Sequence, residues 1–226
     1  MAEAEAVLLD FYGTVVHEDD VVIDQICKTI SQTAGAQATP NEIGSCWWAT
    51  FSDAFGHSHG DNFQTQRRLE LAALAQTINN FDAHCDADEL TEPLFAHWER
   101  PPIFEDATRF LAGLDLPVVV LSNIDRVDIE TAIAHHNLTF DHVITSEDVR
   151  SYKPRPELFL AGLEAARCPP DRVLHVGDSL TSDVAGARQL GIPVAWINRA
   201  GKPPPKTHRP TYEMATLEDL LASVLT

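Results

Sequence analysis

Short apolar runs recur along the chain at Val7–Leu9, Val118–Leu121, Val143–Ile144, Val173–Val176 and Val194–Ile197. They are rich in β-branched residues and do not alternate with polar ones, the pattern of strands covered on both faces of a parallel sheet. Between them, apolar positions return with helical spacing over about Ile103–Leu114, Arg126–His136, Glu157–Ala166 and Ser182–Leu190. Alternating strands and helices predict an α/β fold, a doubly wound parallel sheet. One stretch breaks the rhythm. From about Val16 to Arg100 the pattern is helical throughout, too long for one crossover, and predicts an all-helical subdomain inserted into the core. The expected division is a core of 1–15 and 101–226 and a helical cap of 16–100. Pro101-Pro102 marks the return, because the first proline disfavours helix at Arg100 and neither supplies an N–H. Gly201–Pro210, GKPPPKTHRP, reads as an extended loop after the last strand.

Two insert helices are read in more detail. Over about Asp61–Ile78, a period of 3.6 places Phe63, Leu71, Leu74 and Ile78 on one face. Arg67 falls within that stripe and Arg68 points away from it. An arginine on an apolar face needs a partner, so Arg67 is a candidate contact for an anionic substrate or for a carboxylate of the core. Over about Asn41–Phe55, Trp47, Trp48, Phe51 and Phe55 line one side, a stripe read as core packing rather than as a ligand pocket.

Composition narrows the partners. Hydrophobic residues make up 44% and charged residues 22%, which excludes a disordered or fibrous chain. Sixteen Lys+Arg against 34 Asp+Glu give a net charge of -18, so neither nucleic acid nor anionic membrane is an expected partner. An anionic substrate would need a local cation. No apolar run approaches the roughly 20 residues of a membrane span. The acidic start, Met1-Ala2-Glu3-Ala4-Glu5-Ala6, lacks the order of a signal peptide, and a cytoplasmic location is expected. Cys27, Cys46, Cys85 and Cys168 are scattered without a C-x-x-C pair, as expected of reduced thiols.

The candidate chemistry gathers at strand ends. Asp10-Phe11-Tyr12-Gly13-Thr14 follows the first strand, where open α/β sheets bind ligands. An aspartate is ionised at neutral pH and can attack without a base. Leu121-Ser122-Asn123 follows the second strand and offers a hydroxyl and N–H donors. Lys153, in Tyr152-Lys153-Pro154, comes after the third. Gly177-Asp178-Ser179-Leu180-Thr181-Ser182-Asp183 follows the fourth with two carboxylates at a helix start. Donors, a cation and carboxylates thus converge on one crevice.

With these four segments in this order, the chain resembles the haloacid dehalogenase superfamily of hydrolases over essentially its whole length. DFYGT resembles that family's first motif, LSN its second, YKP its third and GDSLTSD its fourth, and the helical insert resembles its cap. The resemblance implies Asp10 as nucleophile, with Thr14 completing the catalytic set of the first motif. It implies Ser122 and Asn123 as donors to phosphate or an oxyanion, and Lys153 as the electrostatic partner of Asp10. It also implies Mg²⁺ held by Asp10, the Tyr12 backbone carbonyl and Asp178, with Asp183 in or just behind the ligand set.

Several positions depart from one branch or another. Phosphatases of the family carry an aspartate two residues after the nucleophile as general acid and base; here that residue is Tyr12. Tyrosine there, and Trp196-Ile197-Asn198-Arg199 in the last strand, are similar to the hydrolytic haloacid dehalogenases. Those enzymes need no metal and lack the aspartate pair of Asp178 and Asp183. They also carry an arginine early in the cap, whereas the cap cations here are Lys28, Arg67, Arg68 and Arg100, and a tyrosine where this chain has Phe159. Lys28, the sole cap lysine, comes too early to match the imine-forming lysine of the phosphonate-cleaving branch. Tyrosine, with a pKa near 10, is a poor acid at neutral pH. His175 would substitute only if it pointed into the crevice, and otherwise packs in the core. His57 and His59 read as a flexible cap loop able to close over the site.

The first reading is therefore a Mg²⁺-dependent hydrolase of a small phosphorylated metabolite with a good leaving group. The alternative is a metal-independent 2-haloacid dehalogenase. A third, a feeble binding protein, follows if Tyr12 has abolished turnover.

Overall fold

A computed structural model describes residues 4–203, 207 and 209–225. Within the loop read over Gly201–Pro210, positions 204–206 and 208 lie outside the described residues, as do the first three residues of the acidic start.

Five strands form where the apolar runs fall: β1 (Ala6–Leu9), β2 (Val118–Ser122), β3 (His142–Thr145), β4 (Val173–Gly177) and β5 (Val194–Ile197). A sixth, β6 (Tyr212–Met214), follows. All pair in parallel in the order β3-β2-β1-β4-β5-β6. Every residue of β1, β2, β4 and β5 is buried, as continuous apolar runs require. Leu8, Val119, Leu121, Phe159, Val194 and Trp196 belong to the core beneath them.

The order places β1 between β2 and β4. Leu9 lies opposite Val120 and Val176, so the residues that leave β1, β2 and β4 emerge side by side at one edge. The chain reaches β2 on one side of β1 and β4 on the other, the reversal of order at which such sheets open a crevice.

The helices are α1 (Asp20–Thr33), α2 (Pro40–His57), α3 (Gln66–Asn80), α4 (Ala87–Glu99), α5 (Glu105–Gly113), α6 (Arg126–His135), α7 (Ser146–Val149), α8 (Pro156–Ala166), α9 (Ala185–Gln189) and α10 (Leu217–Val224). A wide π turn over Leu180–Val184 leads into α9. Residues 1–18, 102–123 and 136–226 make one compact unit, the α/β core. Residues 19–101 and 124–135 make a second, all-helical unit, so α6 groups with the inserted helices. No helix among the described residues is long and apolar enough to cross a membrane.

In the helical unit, α2 starts where Pro40 takes the first position and Thr39 and Glu42 form a reciprocal capping box. Trp47 and Phe51 are buried on its inner side. Trp48 departs from the expected stripe and is 68% exposed, because it lies about 100° around the helix from Trp47. Helix α3 starts at Gln66 rather than near Asp61. Gly60–Asn62 form a single 3₁₀ turn and Phe63 is outside the helix. Its buried face is Leu69, Glu70, Ala73, Leu74, Thr77 and Ile78, with Leu71 only half-buried.

Glu70 is the anomaly on that face. Burial, and then the negative Asp19, push its pKa up to about 8. The unfolded chain ionises near the ordinary carboxylate value, so the folded state holds a proton that the unfolded state has lost. Stability contributed at low pH is therefore lost as pH rises from about 4.5 to about 8, on the order of a few kcal/mol. Glu70→Gln is expected to flatten this fall. Thermal melts should show the variant above the wild type at pH 8 and the two converging near pH 4.5; parallel curves would place Glu70 in solvent.

Candidate active site

Asp10 leaves β1 at the sheet edge, buried, with both carboxylate oxygens engaged. Oδ1 accepts from Lys153 Nζ at 2.6 Å and Oδ2 from Thr14 Oγ1 at 2.8 Å. Thr14 reaches back because the chain turns tightly at Gly13, whose φ of +86° suits glycine alone. A side chain at Gly13 would also meet the Asp178 carboxylate, at 2.7 to 2.9 Å from its Cβ.

Lys153 is fully enclosed. Its ammonium spends three donors on Asp10, on Asp183 Oδ1 at 2.7 Å and on the Leu121 carbonyl at 3.0 Å. Burial by itself would depress its pKa; the two carboxylates outweigh this and raise it, so Lys153 stays charged. Its backbone is fixed by Asn123, whose Oδ1 accepts from Lys153 N at 2.7 Å and whose Nδ2 donates to Lys153 O at 3.3 Å. Ser122, at the end of β2, is buried beside it in sequence. Asn123 therefore spends its side chain on the lysine loop.

The fourth segment brings Asp178 and Asp183. One carboxylate oxygen from each of Asp10, Asp178 and Asp183 falls within a cluster no wider than 4.8 Å. Asp183 is held by donors: Lys153 and His175 Nε2 (2.9 Å) on Oδ1, and Ser179 N (3.0 Å) on Oδ2. Burial opposes its ionisation, but Lys153 and His175 prevail and hold its pKa well below the ordinary carboxylate range. Asp178 is the reverse. Among the described residues no donor reaches its carboxylate, and its pKa is pushed up to about 8 by burial first, then by Asp10, Asp183 and Glu18, against Lys153. Three carboxylates face one lysine.

His175 does not point into the crevice. It is fully buried, edge-on to Phe159 with ring centroids 5.1 Å apart, and its Nε2 is hydrogen-bonded to Asp183. Tyr12 is half-buried, edge-on to Phe11 at 5.3 Å. His57 ends α2 rather than opening a loop, and both His57 and His59 are exposed. All four cysteines are free thiols.

Arg67 lies in the helical unit, with its guanidinium engaged there. Nε and Nη2 reach both oxygens of the buried Asp128 of α6, Nη2 also reaches Glu99 at 2.8 Å, and the plane lies 4.5 Å over Phe95. The start of α3 is capped from the same segment, since Asp125 accepts from the backbone N–H groups of Gln66 (2.7 Å) and Arg67 (3.0 Å). Asp125 and Asp128 were missing from the sequence reading, where they look like ordinary polar residues at a helix start.

Comparison with known proteins decides the family, because the pattern of the haloacid dehalogenase-like hydrolases matches residues 4–191. The chain is a haloacid dehalogenase-like hydrolase. It is 31% identical over 207 residues to haloacetate dehalogenase H-2 of Moraxella sp. (strain B), covering 89% of this chain and 88% of that protein. To (S)-2-haloacid dehalogenase H-109 of Pseudomonas putida it is 27% identical over 209 residues, covering 89% and 88%. The crystal structure of an L-2-haloacid dehalogenase, RSc1362, superposes with a TM-score of 0.81 at 22% identity, covering all of both chains, and shares the fold. In haloacid dehalogenase-like hydrolases the α/β core and the inserted helices seen here go together with hydrolytic activity. The named relatives lean toward dehalogenases rather than magnesium-dependent phosphatases.

Proposed function

We propose that the chain hydrolyses a small phosphorylated metabolite through Asp10, with Mg²⁺ bound at the sheet edge. The observation that carries this reading is the cluster of Asp10, Asp178 and Asp183 opposite Lys153, which pairs with Asp10 and Asp183. Such a donor set, hard oxygens in excess of protein positive charge with one carboxylate that no donor among the described residues reaches, suits a hard divalent cation. Asp10, Asp178 and the Tyr12 carbonyl would hold it, with Asp183 beside or behind them. Bound there, the ion would offset the charge of the carboxylates and of the phosphoryl oxygens.

The chain's own residues supply the rest. The ionised Asp10 attacks phosphorus, forming an O–P bond as the ester oxygen leaves with its electron pair; water then releases phosphate from the aspartyl intermediate. Lys153 and Thr14 fix the carboxylate for in-line approach, which is worth more to such a reaction than acid–base chemistry. Ser122 and the backbone after β2 donate to the phosphoryl oxygens, and Asn123 keeps Lys153 in place. Arg67 orders the helical unit through Asp128 and Glu99.

A second reading is favoured by Tyr12 and, more than the first, by the relatives. In it Asp10 attacks the halogen-bearing carbon of a 2-haloacid, halide departs with the bonding pair, and water hydrolyses the ester.

Chelation separates the two. Purified protein is assayed on p-nitrophenyl phosphate, acetyl phosphate and 2-chloropropionate, each with Mg²⁺ and with EDTA. The expected result is phosphate release that needs Mg²⁺ and is lost in EDTA. Haloacid turnover at full rate in EDTA would replace the first reading with the second.

A further inference from the structure

The two chain segments that join the core to the inserted helices run antiparallel where they leave it. Val16 bridges Ile103, His17 N donates to the Pro102 carbonyl at 2.8 Å, and Phe104 N donates to the Val15 carbonyl at 3.1 Å. One of these segments begins with Thr14, whose hydroxyl holds Asp10 Oδ2. At the core end of this ribbon sits Arg199, two residues beyond β5, and no part of the reaction above uses it.

Arg199 is held from three directions. Nη1 reaches both oxygens of Asp106 at 3.0 Å, Nη2 donates to the Thr14 carbonyl at 2.9 Å, and the guanidinium lies 3.8 Å over the Phe104 ring. His17 stacks on Phe104 as well, with ring centroids 3.8 Å apart. Asp106 is itself pinned, since its Oδ2 also accepts the Leu217 N–H at the start of α10, at 2.7 Å. A planar cation fixed by a carboxylate, a carbonyl and a ring has one orientation left.

We propose that Arg199 is a positioning residue for Asp10, acting through Thr14. Its grip on the Thr14 carbonyl sets the peptide plane from which the Thr14 hydroxyl reaches Asp10 Oδ2. The packed end of β5, α5 and α10 thereby orients the nucleophile while touching neither it nor the substrate. Lysine cannot replace it, because a single ammonium cannot chelate Asp106, reach the carbonyl and stack on Phe104 together. The proposal rests on Asp10 being the nucleophile.

Removing Arg199 alone strands the buried Asp106, so two variants are used. Arg199→Lys keeps the charge, and the double variant Arg199→Met/Asp106→Asn removes cation and carboxylate together while leaving an acceptor for Leu217 N. Crystal structures of both should show the Thr14–Asp10 hydrogen bond lengthened or lost. On whichever of p-nitrophenyl phosphate and 2-chloropropionate the wild type turns over, kcat should fall about tenfold to a hundredfold, with KM changing less than about threefold, as expected for a misplaced nucleophile. A Thr14–Asp10 bond unaltered in both variants overturns the proposal whatever the kinetics, and so does an unaltered kcat. Asp10→Asn is run in parallel. If it retains turnover, the reading of Asp10 as nucleophile fails; if it is inactive while the Arg199 variants keep full kcat, only the role of Arg199 fails.

Discussion

Replacing Asp10 by asparagine is expected to abolish hydrolysis of every substrate the wild type accepts and to leave the fold intact. The amide is not a nucleophile, so the step that forms the covalent intermediate is lost, a fall on the order of 10⁴-fold or more. The fold survives because the change relieves one buried charge and creates none. Lys153 keeps Asp183 as its counter-ion at 2.7 Å and the Leu121 carbonyl at 3.0 Å. Asp10 is buried, and burial raises its pKa even with Lys153 opposing, so its ionised form is held at a cost to stability. The melting temperature of Asp10→Asn should accordingly equal or exceed that of the wild type. Phosphate esters and 2-haloacids are both assayed, since both enzyme readings use this carboxylate. Near-normal turnover by a folded Asp10→Asn protein would sink both, whereas a folded wild type that turns over neither class of substrate would leave the binding-protein reading.

What the sequence made legible follows the range of the interactions involved. Strands β1, β2, β4 and β5 are buried on both faces, so their composition alone marks them, and Asp10, Ser122 and Gly177 are then placed at one edge by connectivity. Strand β6 is not legible in the sequence because Tyr212-Glu213-Met214 is short and only partly buried at the edge, with no apolar run to announce it. Local caps such as Thr39 with Glu42 can be read from a few residues. The start of α3 cannot, since its cap, Asp125, lies 59 residues from Gln66. Periodicity carried Phe63 into the helix for the same reason.

Arg67 shows what residue type can and cannot say. An arginine among apolar neighbours must find a carboxylate, and it finds two, Asp128 and Glu99. Which carboxylates these are depends on the fold. His175 is similar: its place two residues before Gly177 allows either a role in the crevice or a packed core, and the hydrogen bond to Asp183 decides for the interior. In the sequence Arg199 stands out only as part of a strand resembling that of dehalogenases. Its contacts with Thr14 and Asp106, 185 and 93 residues away, exist only in the folded chain.

Tyr12 should impose a steep dependence of rate on the leaving group. Expelling an alkoxide demands a proton in the transition state, and general acid assistance of that kind is worth about 10² to 10⁴ in rate. A tyrosine with a pKa near 10 is poorly suited to give it at neutral pH. His175, two residues before the fourth motif, is fully buried with Nε2 turned to Asp183, so it does not make up the loss. Aryl and acyl phosphates, whose leaving groups need no proton, should therefore react far faster than alkyl phosphates. Tyr12→Asp restores a carboxyl group two residues after the nucleophile, on the same turn that Gly13 closes. It should raise alkyl phosphate turnover by about 10² or more while changing the aryl esters little, flattening the plot of log kcat/KM against leaving-group pKa. A wild-type plot that is already flat would mean that another residue delivers the proton. Activity confined to 2-haloacids in both proteins would instead fit the carbon–halogen reading, in which halide leaves without a proton and Tyr12 is no handicap.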